Sequence, residues 1–296
     1  MMISKHEKIP IFFIVNPNSG VGRKDTIEHH LEKKLDFDKF EPKVVFTEYP
    51  QHATLLSREG WEQGFRVIVA IGGDGTVNEA ARPLIGTEAV LGIIPAGSGN
   101  GLARHLHLPT DIDKAIRIIN ITNVKKIDTV EINDQVFLSI AGVGFDAHVA
   151  DHFARQSQRG FFGYAKVAIR EYFRYRPMKF RLVVDGKKMV RRALFISFAN
   201  SDQFGYNTSI APDATVDDGM IDVVIARKSS LWKMIFFAPF LFTRKIHKTP
   251  YVEIIRAREV DIMQKVKIIN LDGEPVDVGK RLHIHVIPAS LNIIVP

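Results

Sequence analysis

Short apolar runs alternate with helical periodicities along the first 128 residues. Residues 9–16, "IPIFFIVN", form an apolar run rich in β-branched and aromatic residues and predict a buried strand. A glycine turn and a helical pattern follow in "SGVGRKDTIEHHLEKKL". "KVVFTE", "FRVIVAIGG" and "AVLGIIPAGSG" predict further strands. "HATLLSREGWEQG", "TVNEAARPLI", "NGLARHL" and "DIDKAIRIIN" predict helices between and after them. Strands alternating with helices predict β/α units on a parallel sheet. Beyond Asp128 the pattern changes. "KKIDTVEINDQVFLSIAGVGF" predicts two strands around "ND", and "FRLVVDGKKMVRRALFISFAN" two more around the hairpin signal "DG". Strands are also expected in "GMIDVVIARK", "YVEIIRA", "KVKIINLDGEPV" and "KRLHIHVIPASLNIIV", with helices near 147–175 and 229–248. The fold class is therefore an α/β N-terminal domain with a parallel sheet, residues 1–127, and a mostly antiparallel, β-rich C-terminal domain, residues 128–296.

Length and composition fit this division. A chain of 296 residues is long enough for about two domains at ~150 residues each. With 46% hydrophobic and 25% charged residues it can build a sizeable core. The absence of cysteine excludes disulfides, thiolate metal sites and a cysteine nucleophile, and fits a cytoplasmic setting. The apolar run near the N-terminus is short and broken by Pro10, so no secretory signal is expected. No stretch reaches the roughly 20 apolar residues of a spanning helix.

Charge changes the picture more than composition does. Residues 1–128 hold 16 Lys/Arg and 16 Asp/Glu, whereas residues 129–296 hold 24 and 17, so the second half carries the whole excess of +7. Such asymmetry points to an anionic partner. Residues 227–248, "RKSSLWKMIFFAPFLFTRKIHK", contain six Lys/Arg, no acid and a Trp/Phe-rich centre interrupted by Pro239. An amphipathic anchor on anionic phospholipid suits this stretch; a core helix or a homodimer contact is the alternative. Residues 155–181 add eight Lys/Arg against Glu171 alone. No nucleic-acid-binding motif accompanies the charge, so nucleic acid is not expected.

Three glycine-rich loops leave strand ends, where open α/β sheets bind ligands. In "NPNSGVGR", Asn16, Asn18 and Ser19 offer hydrogen bonds, Gly20 and Gly22 allow close backbone approach, and Arg23 adds a phosphate contact. In "AIGGDGTVNEA", Gly72 and Gly73 suggest positive φ. Asp74 could order a sugar hydroxyl, a metal ion or metal-bound water, or cap a helix, and Thr76 is expected to cap the next helix. In "PAGSGNGLARHL", Gly97, Gly99 and Gly101 bracket Ser98 and Asn100. The three loops are expected to line a common crevice. No Walker loop occurs. "GVGFDA" matches G-x-G-x-x-A, yet no acid lies between Asp151 and Glu171, so a dinucleotide role there is not expected. His148 and His152 are spaced i, i+4, but "HVADH" lacks the glutamate of a zincin, and no metal is expected there. His283 and His285 are expected on a solvated strand edge. In "INLDGEPV", Asp272 and Glu274 flank Gly273 in a tight turn, where either acid could serve as a base.

At "NPNSG", "GGDGTVNEA" and "GSGNGLA" the sequence resembles the diacylglycerol kinase catalytic family, which includes bacterial soluble lipid kinases and sphingosine kinases. The likeness continues through "KIDTV", "AGVGFDA", "DDGMID" and "LDGEPV", nearly the whole chain; "GGDG" alone is shared with NAD kinases and phosphofructokinases. The resemblance implies a two-domain, NAD kinase/phosphofructokinase-like fold with ATP between the domains. It implies ATP contacts from Asn16, Pro17, Asn18, Ser19, Gly20, Thr47, Gly72, Gly73, Asp74, Gly75, Thr76 and Ser98. It also implies Mg2+ held by Asp218 and the carbonyls of Thr215 and Met220, and an acid–base group in "LDGE" from Glu274 or Asp272. The expected activity is phosphorylation of a lipid hydroxyl at a membrane surface, most directly diacylglycerol to phosphatidic acid. A sphingoid base, another lipid alcohol or a soluble metabolite is the alternative acceptor. The enzyme is expected in the cytoplasm, peripherally associated with the membrane. Gly101 departs from the aspartate common in bacterial members of the family, so an acidic network joining that position to Asp74 and Asp128 is incomplete.

Overall fold

The computed structural model describes residues 8–20, 24–155 and 161–296. They divide into two compact units that are not contiguous in sequence. Unit 1 holds residues up to Gly97, Leu106–Lys126 and Ser290–Pro296; unit 2 holds Ser98–His105 and Ile127–Ala289. The sequence suggested one boundary, at 127/128; the chain passes between units at 97/98, 105/106, 126/127 and 289/290. The exchange has a local cause: Asn292 and Ile293 pair with Val90 and Leu91, which places the last residues in the unit 1 sheet.

Unit 1 opens with β1 (Ile9–Val15), α1 (Lys24–Lys34), β2 (Phe40–Phe46), α2 (His52–Glu62), β3 (Val67–Gly72), α3 (Asp74–Ala81) and β4 (Val90–Pro95). A short α4 (Gly101–His105) lies in unit 2, and α5 (Ile112–Ile121) returns to unit 1. The parallel order is β2-β1-β3-β4. All six residues of β3 are buried, as expected of a parallel strand covered on both faces. Ile11, Phe13, Val15, Val69 and Ile71 form a core with Ile27 and Leu31 of α1 and Ile116 and Ile119 of α5. Successive strands lie on opposite sides of β1, so the carboxyl ends of β1 and β3 flank the point where strand order reverses.

The chain continues through β5 (Val124–Ile132), β6 (Gln135–Phe137), β7 (Ile140–Gly144), α6 (Phe145–Ala154) and α7 (Phe161–Arg174). Next come β8 (Met178–Val184), β9 (Lys187–Ala193), β10 (Phe195–Ala199), β11 (Gln203–Gly205), β12 (Thr208–Ser209) and β13 (Ile221–Ala226). The remainder is α8 (Leu231–Phe237), α9 (Pro239–Phe242), β14 (Val252–Ala257), β15 (Glu259–Met263), β16 (Ile268–Leu271), β17 (Glu274–Asp277) and β18 (Arg281–Ile294). In unit 2 the antiparallel order β14-β13-β10-β7-β16-β17 forms one layer. The run β18-β15-β8-β9, with β5 pairing β18 and β6, forms the other. Alternate residues Phe180, Leu182 and Val184, Val260 and Ile262, and Leu282 and Ile284 point inward against Val143, Phe198, Val223 and Ile269.

Several sequence expectations need correction. The stretches read as strand pairs around "ND" and "DG" each contain a third strand, β7 and β10. β11, β12 and β15 were not expected. β18 has neighbours on both sides, so His283 and His285 do not lie on an edge; His283 Nδ1 meets Asp261 Oδ1 at 2.9 Å. Among the described residues no helix is long and apolar enough to cross a membrane.

Candidate active site

In unit 1 the chain leaves β1 at Asn16, whose N–H donates to the carbonyl of Ile71 at the end of β3 (2.9 Å). Asn16 Nδ2 donates to Thr76 Oγ1 at 3.0 Å, tying the first loop to the second. Within the first loop Asn18 N–H donates to Asn16 Oδ1 and Ser19 Oγ to the Asn16 carbonyl. Pro17, Asn18 and Gly20 remain exposed. Thr47 follows β2, its N–H bonded to the Val15 carbonyl at 2.9 Å. Gly22 and Arg23, assigned above to anion contact, lie outside the described residues.

The glycines of the second loop do not use positive φ. Neither Gly72, Gly73 nor Gly75 lies in the left-handed region; at Gly72 space is the reason. A Cβ on Gly72 would meet Thr76 Cβ at 2.6 Å, and one on Gly73 would meet Gly97 Cα at 3.4 Å. Gly73 is the N-cap of α3 and brings no side chain to it, so Asp74 and Thr76 are not caps. Asp74 opens the helix, with Gly75 in its first turn, and the Thr76 hydroxyl accepts from Asn16. Helix-leading N–H groups free of side-chain caps attract anions. Glu79 caps a different helix, accepting from Gln51 N–H and Ala53 N–H at the start of α2.

The third loop divides. Gly97 belongs to unit 1, but Ser98 belongs to unit 2, where it accepts a hydrogen bond from the Tyr206 hydroxyl at 2.9 Å. Tyr206 and Asn207 both have positive φ, making the turn between β11 and β12. Gly99 lies against Gly205, and Arg104 bridges the Gly99 carbonyl and Asn207 Oδ1. A side chain at Gly101 would be tight, since its Cβ would lie 3.1 Å from the Gln203 carbonyl oxygen and 3.2 Å from Ser139 Oγ. Nearby, burial pushes Asp202 up, but the hydrogen bond with His105 (2.5 Å), then Gln203 and Arg244, outweigh it and hold its carboxyl below the usual range.

The acidic turn between β16 and β17 separates its two carboxylates. Asp272 is buried; its Oδ1 accepts from the N–H groups of Ser139 (2.9 Å) and Ile140 (3.0 Å), and its Oδ2 from that of Leu138 (2.9 Å). Asp272 and Gly273, at φ 47° and 92°, form the turn, and Glu274 stands exposed beyond it.

The "TVDDGM" turn gathers the expected metal ligands. Asp218 accepts from Thr215 Oγ1 (2.7 Å) and Met220 N–H (3.0 Å), and its Oδ2 also pairs with Arg256. Gly219, at φ 70°, donates its N–H to Asp128 Oδ2 (2.7 Å), while Asp128 Oδ1 accepts from Ala289 N–H (2.7 Å). Asp128 thus pins the turn from beneath. Carbonyl and carboxylate oxygens on one turn are the donors Mg2+ requires, and the guanidinium on Asp218 marks a place that draws a cation. Behind it, burial raises Asp222 to about 6 against the opposing pull of Arg256.

One buried carboxylate escaped the sequence reading. Asp146, at the start of α6, accepts from Asn270 Nδ2 at 3.1 Å and lies 3.5 Å from the Tyr164 hydroxyl. Burial raises it to about 6. The signal was in "AGVGFDA", where Gly142 makes room for the carboxylate: a Cβ on it would lie 1.8 Å from Asp146 Oδ2.

Comparison with known proteins agrees with this architecture. Residues 10–132 match the model of the diacylglycerol kinase catalytic domain, and residues 139–295 that of the YegS C-terminal NAD kinase beta sandwich-like domain. A diacylglycerol kinase of Mycobacterium tuberculosis (strain CDC 1551 / Oshkosh) is 29% identical over 307 residues, covering 99% of this chain and 97% of that protein. A diacylglycerol kinase of Bacillus subtilis (strain 168) is 28% identical, covering 88% of each. The crystal structure of a diacylglycerol kinase from Bacillus anthracis str. Sterne superimposes with a TM-score of 0.72 at 20% identity over 97% of both chains, a likeness of fold.

Proposed function

Because the chain belongs to the diacylglycerol kinase catalytic family and is a lipid kinase, we propose that it transfers the γ-phosphoryl group of ATP to a lipid hydroxyl, with diacylglycerol as acceptor and phosphatidic acid as product. The observation that carries the assignment of roles is the division of labour in "LDGE". Asp272 spends its carboxylate on three backbone N–H groups and holds the turn. Glu274, exposed on the same turn, is the general base. It takes the proton of the lipid hydroxyl as that oxygen bonds to the γ-phosphorus. The bond from phosphorus to the β–γ bridging oxygen breaks, and ADP leaves with the electron pair.

Phosphoryl transfer depends on positioning and charge neutralisation. The ATP ligands in this reading are Asn16, Pro17, Asn18, Ser19 and Gly20 after β1, Thr47 after β2, Gly72 to Thr76 after β3, and Ser98. Backbone N–H groups at the start of α3 suit phosphate oxygens because its N-cap, Gly73, brings no side chain to them. Thr215, Asp218 and Met220 would hold Mg2+, which when bound neutralises phosphate charge.

A lipid acceptor requires access to a surface. Trp232, Phe236 and Phe242 of α8 and α9 are 81%, 68% and 52% exposed, while Phe237 packs on Phe240 and Tyr251. Pro239 opens α9 and breaks the stretch into two short helices, not one long anchor. Aromatic side chains flanked by Arg227, Lys228, Lys233, Arg244, Lys245 and Lys248 suit the interface of an anionic phospholipid bilayer, where each cation contributes about 1 kcal/mol. Peripheral membrane association follows in this reading.

The test is transfer from radiolabelled ATP, with Mg2+, to a panel of diacylglycerol, sphingosine and NAD in mixed micelles. Label in phosphatidic acid is expected. Label in sphingosine phosphate would move the acceptor to a sphingoid base, and label only in NADP would overturn the lipid reading.

A further inference from the structure

Two histidines one helical turn apart on α6 share a face with each other and with a buried acid of α7. The ligand atoms of His148, His152 and Glu171 all lie within 4.8 Å of one another. His148 Nε2 is 3.1 Å from Glu171 Oε2, and the two imidazole rings are 4.4 Å apart between centroids. Tetrahedral Zn2+ with ligands at about 2.0–2.1 Å spaces its donors by roughly 3.3 Å, so one pair already stands at that spacing and a side-chain rotation closes the third. The third ligand, which "HVADH" does not supply, comes from the next helix.

The surroundings favour a built site over a chance cluster. Glu171 is 5% exposed and its second oxygen, Oε1, accepts from Arg170 Nε at 2.9 Å, which orients the carboxylate and leaves Oε2 turned to the histidines. The Tyr175 ring packs on His148 at 5.2 Å. Outer partners of this kind fix ligand orientation in metal sites. A second cluster, Glu259, Asp261 and His283, is exposed throughout and has no buried ligand to order it.

We propose that His148, His152 and Glu171 form a binding site for a borderline divalent cation such as Zn2+, clamping α6 to α7. Imidazole and carboxylate together suit Zn2+ and Co2+, whereas the all-oxygen turn at Asp218 suits Mg2+. The two sites can therefore be told apart.

The test uses the full chain, stripped with chelator and titrated with Zn2+ by calorimetry in excess Mg2+, with Co2+ absorption as a second readout. One Zn2+ per chain is expected, together with visible d–d bands of a tetrahedral Co2+ site and a rise in melting temperature on adding Zn2+. His152→Ala and Glu171→Gln should each weaken binding by more than about tenfold and abolish the melting shift. Glu171→Gln keeps an acceptor for Arg170 and sets its NH2 opposite His148 Nε2, which a neutral imidazole can accept, so it decides the matter if His152→Ala does not fold. No Zn2+ binding by the wild-type chain, or binding by Glu171→Gln equal to wild type, would overturn the proposal.

Discussion

Replacing Asp272 by asparagine and Glu274 by glutamine should separate structure from chemistry within three residues. Asp272 receives three backbone N–H groups at 2.9–3.0 Å in a buried position. Asparagine keeps one oxygen for Ser139 and Ile140 but turns its own NH2 toward the N–H of Leu138. One bond is lost, the others lose the help of the negative charge, and a buried donor is left facing another donor. With charge-assisted bonds contributing about 1.5–3 kcal/mol, the variant should lose about 3 kcal/mol of stability. Glu274 is exposed, so Glu274→Gln should stay within about 0.5 kcal/mol of wild type. Its kcat should nevertheless fall by about 10²–10⁴-fold, the range for loss of a general base. Urea unfolding followed by circular dichroism gives the first quantity, and phosphorylation of micellar diacylglycerol the second. An Asp272→Asn protein as stable as wild type, or a Glu274→Gln enzyme with wild-type kcat, would refute the division of roles.

Three further predictions concern other parts of the molecule. Asp146 is raised by burial from an ordinary 3.8 to about 6, so it favours folding least when ionised: its cost is absent below about pH 4, grows as pH rises through that interval, and is complete above about pH 6, on the order of 3 kcal/mol. Asp146→Asn removes this slope, and its stability relative to wild type should be higher at about pH 7.5 than at about pH 4.5; equal differences by urea unfolding would contradict the assignment. Gly142→Ala forces a methyl against the Asp146 carboxylate at 1.8 Å and should cost about 1–3 kcal/mol, read as a lowered melting temperature. Trp232→Ser with Phe236→Ser should leave the melting temperature unchanged, since both side chains are exposed, yet abolish co-sedimentation with anionic liposomes; undiminished sedimentation would redirect α8 toward a contact between two copies of the chain.

The legibility of the chain followed the physics of each element. The β/α alternation of unit 1 could be read because Ile11–Val15 of β1 and all of β3 are apolar runs buried on both faces. The hairpin at Asp185–Gly186 was marked by its two positive-φ residues. β11 and β12 were not legible: three and two residues carry no periodicity, and Tyr206–Asn207 lacks the glycine that marks such a turn. The glycines around Asp74 do not take the positive φ the sequence suggested; at Gly72 it is close approach of the Thr76 side chain that excludes a larger residue. The "LDGE" acids could be found from spacing, but not told apart, because the three N–H groups that claim Asp272 come from residues more than 130 positions earlier. Glu171 and His148, 23 residues apart on different helices, are joined only by how those helices pack.

The return of residues 290–296 to unit 1 bears on how the protein is born. On the ribosome β4 is made nearly two hundred residues before Asn292 and Ile293, its parallel neighbours. Until they emerge, one flank of the nascent sheet stays bare and open to pairing with a stranger. Such late, distant closure makes for slow maturation, so overproduction in the cell should be limited by aggregation of growing chains more than by the stability of finished ones.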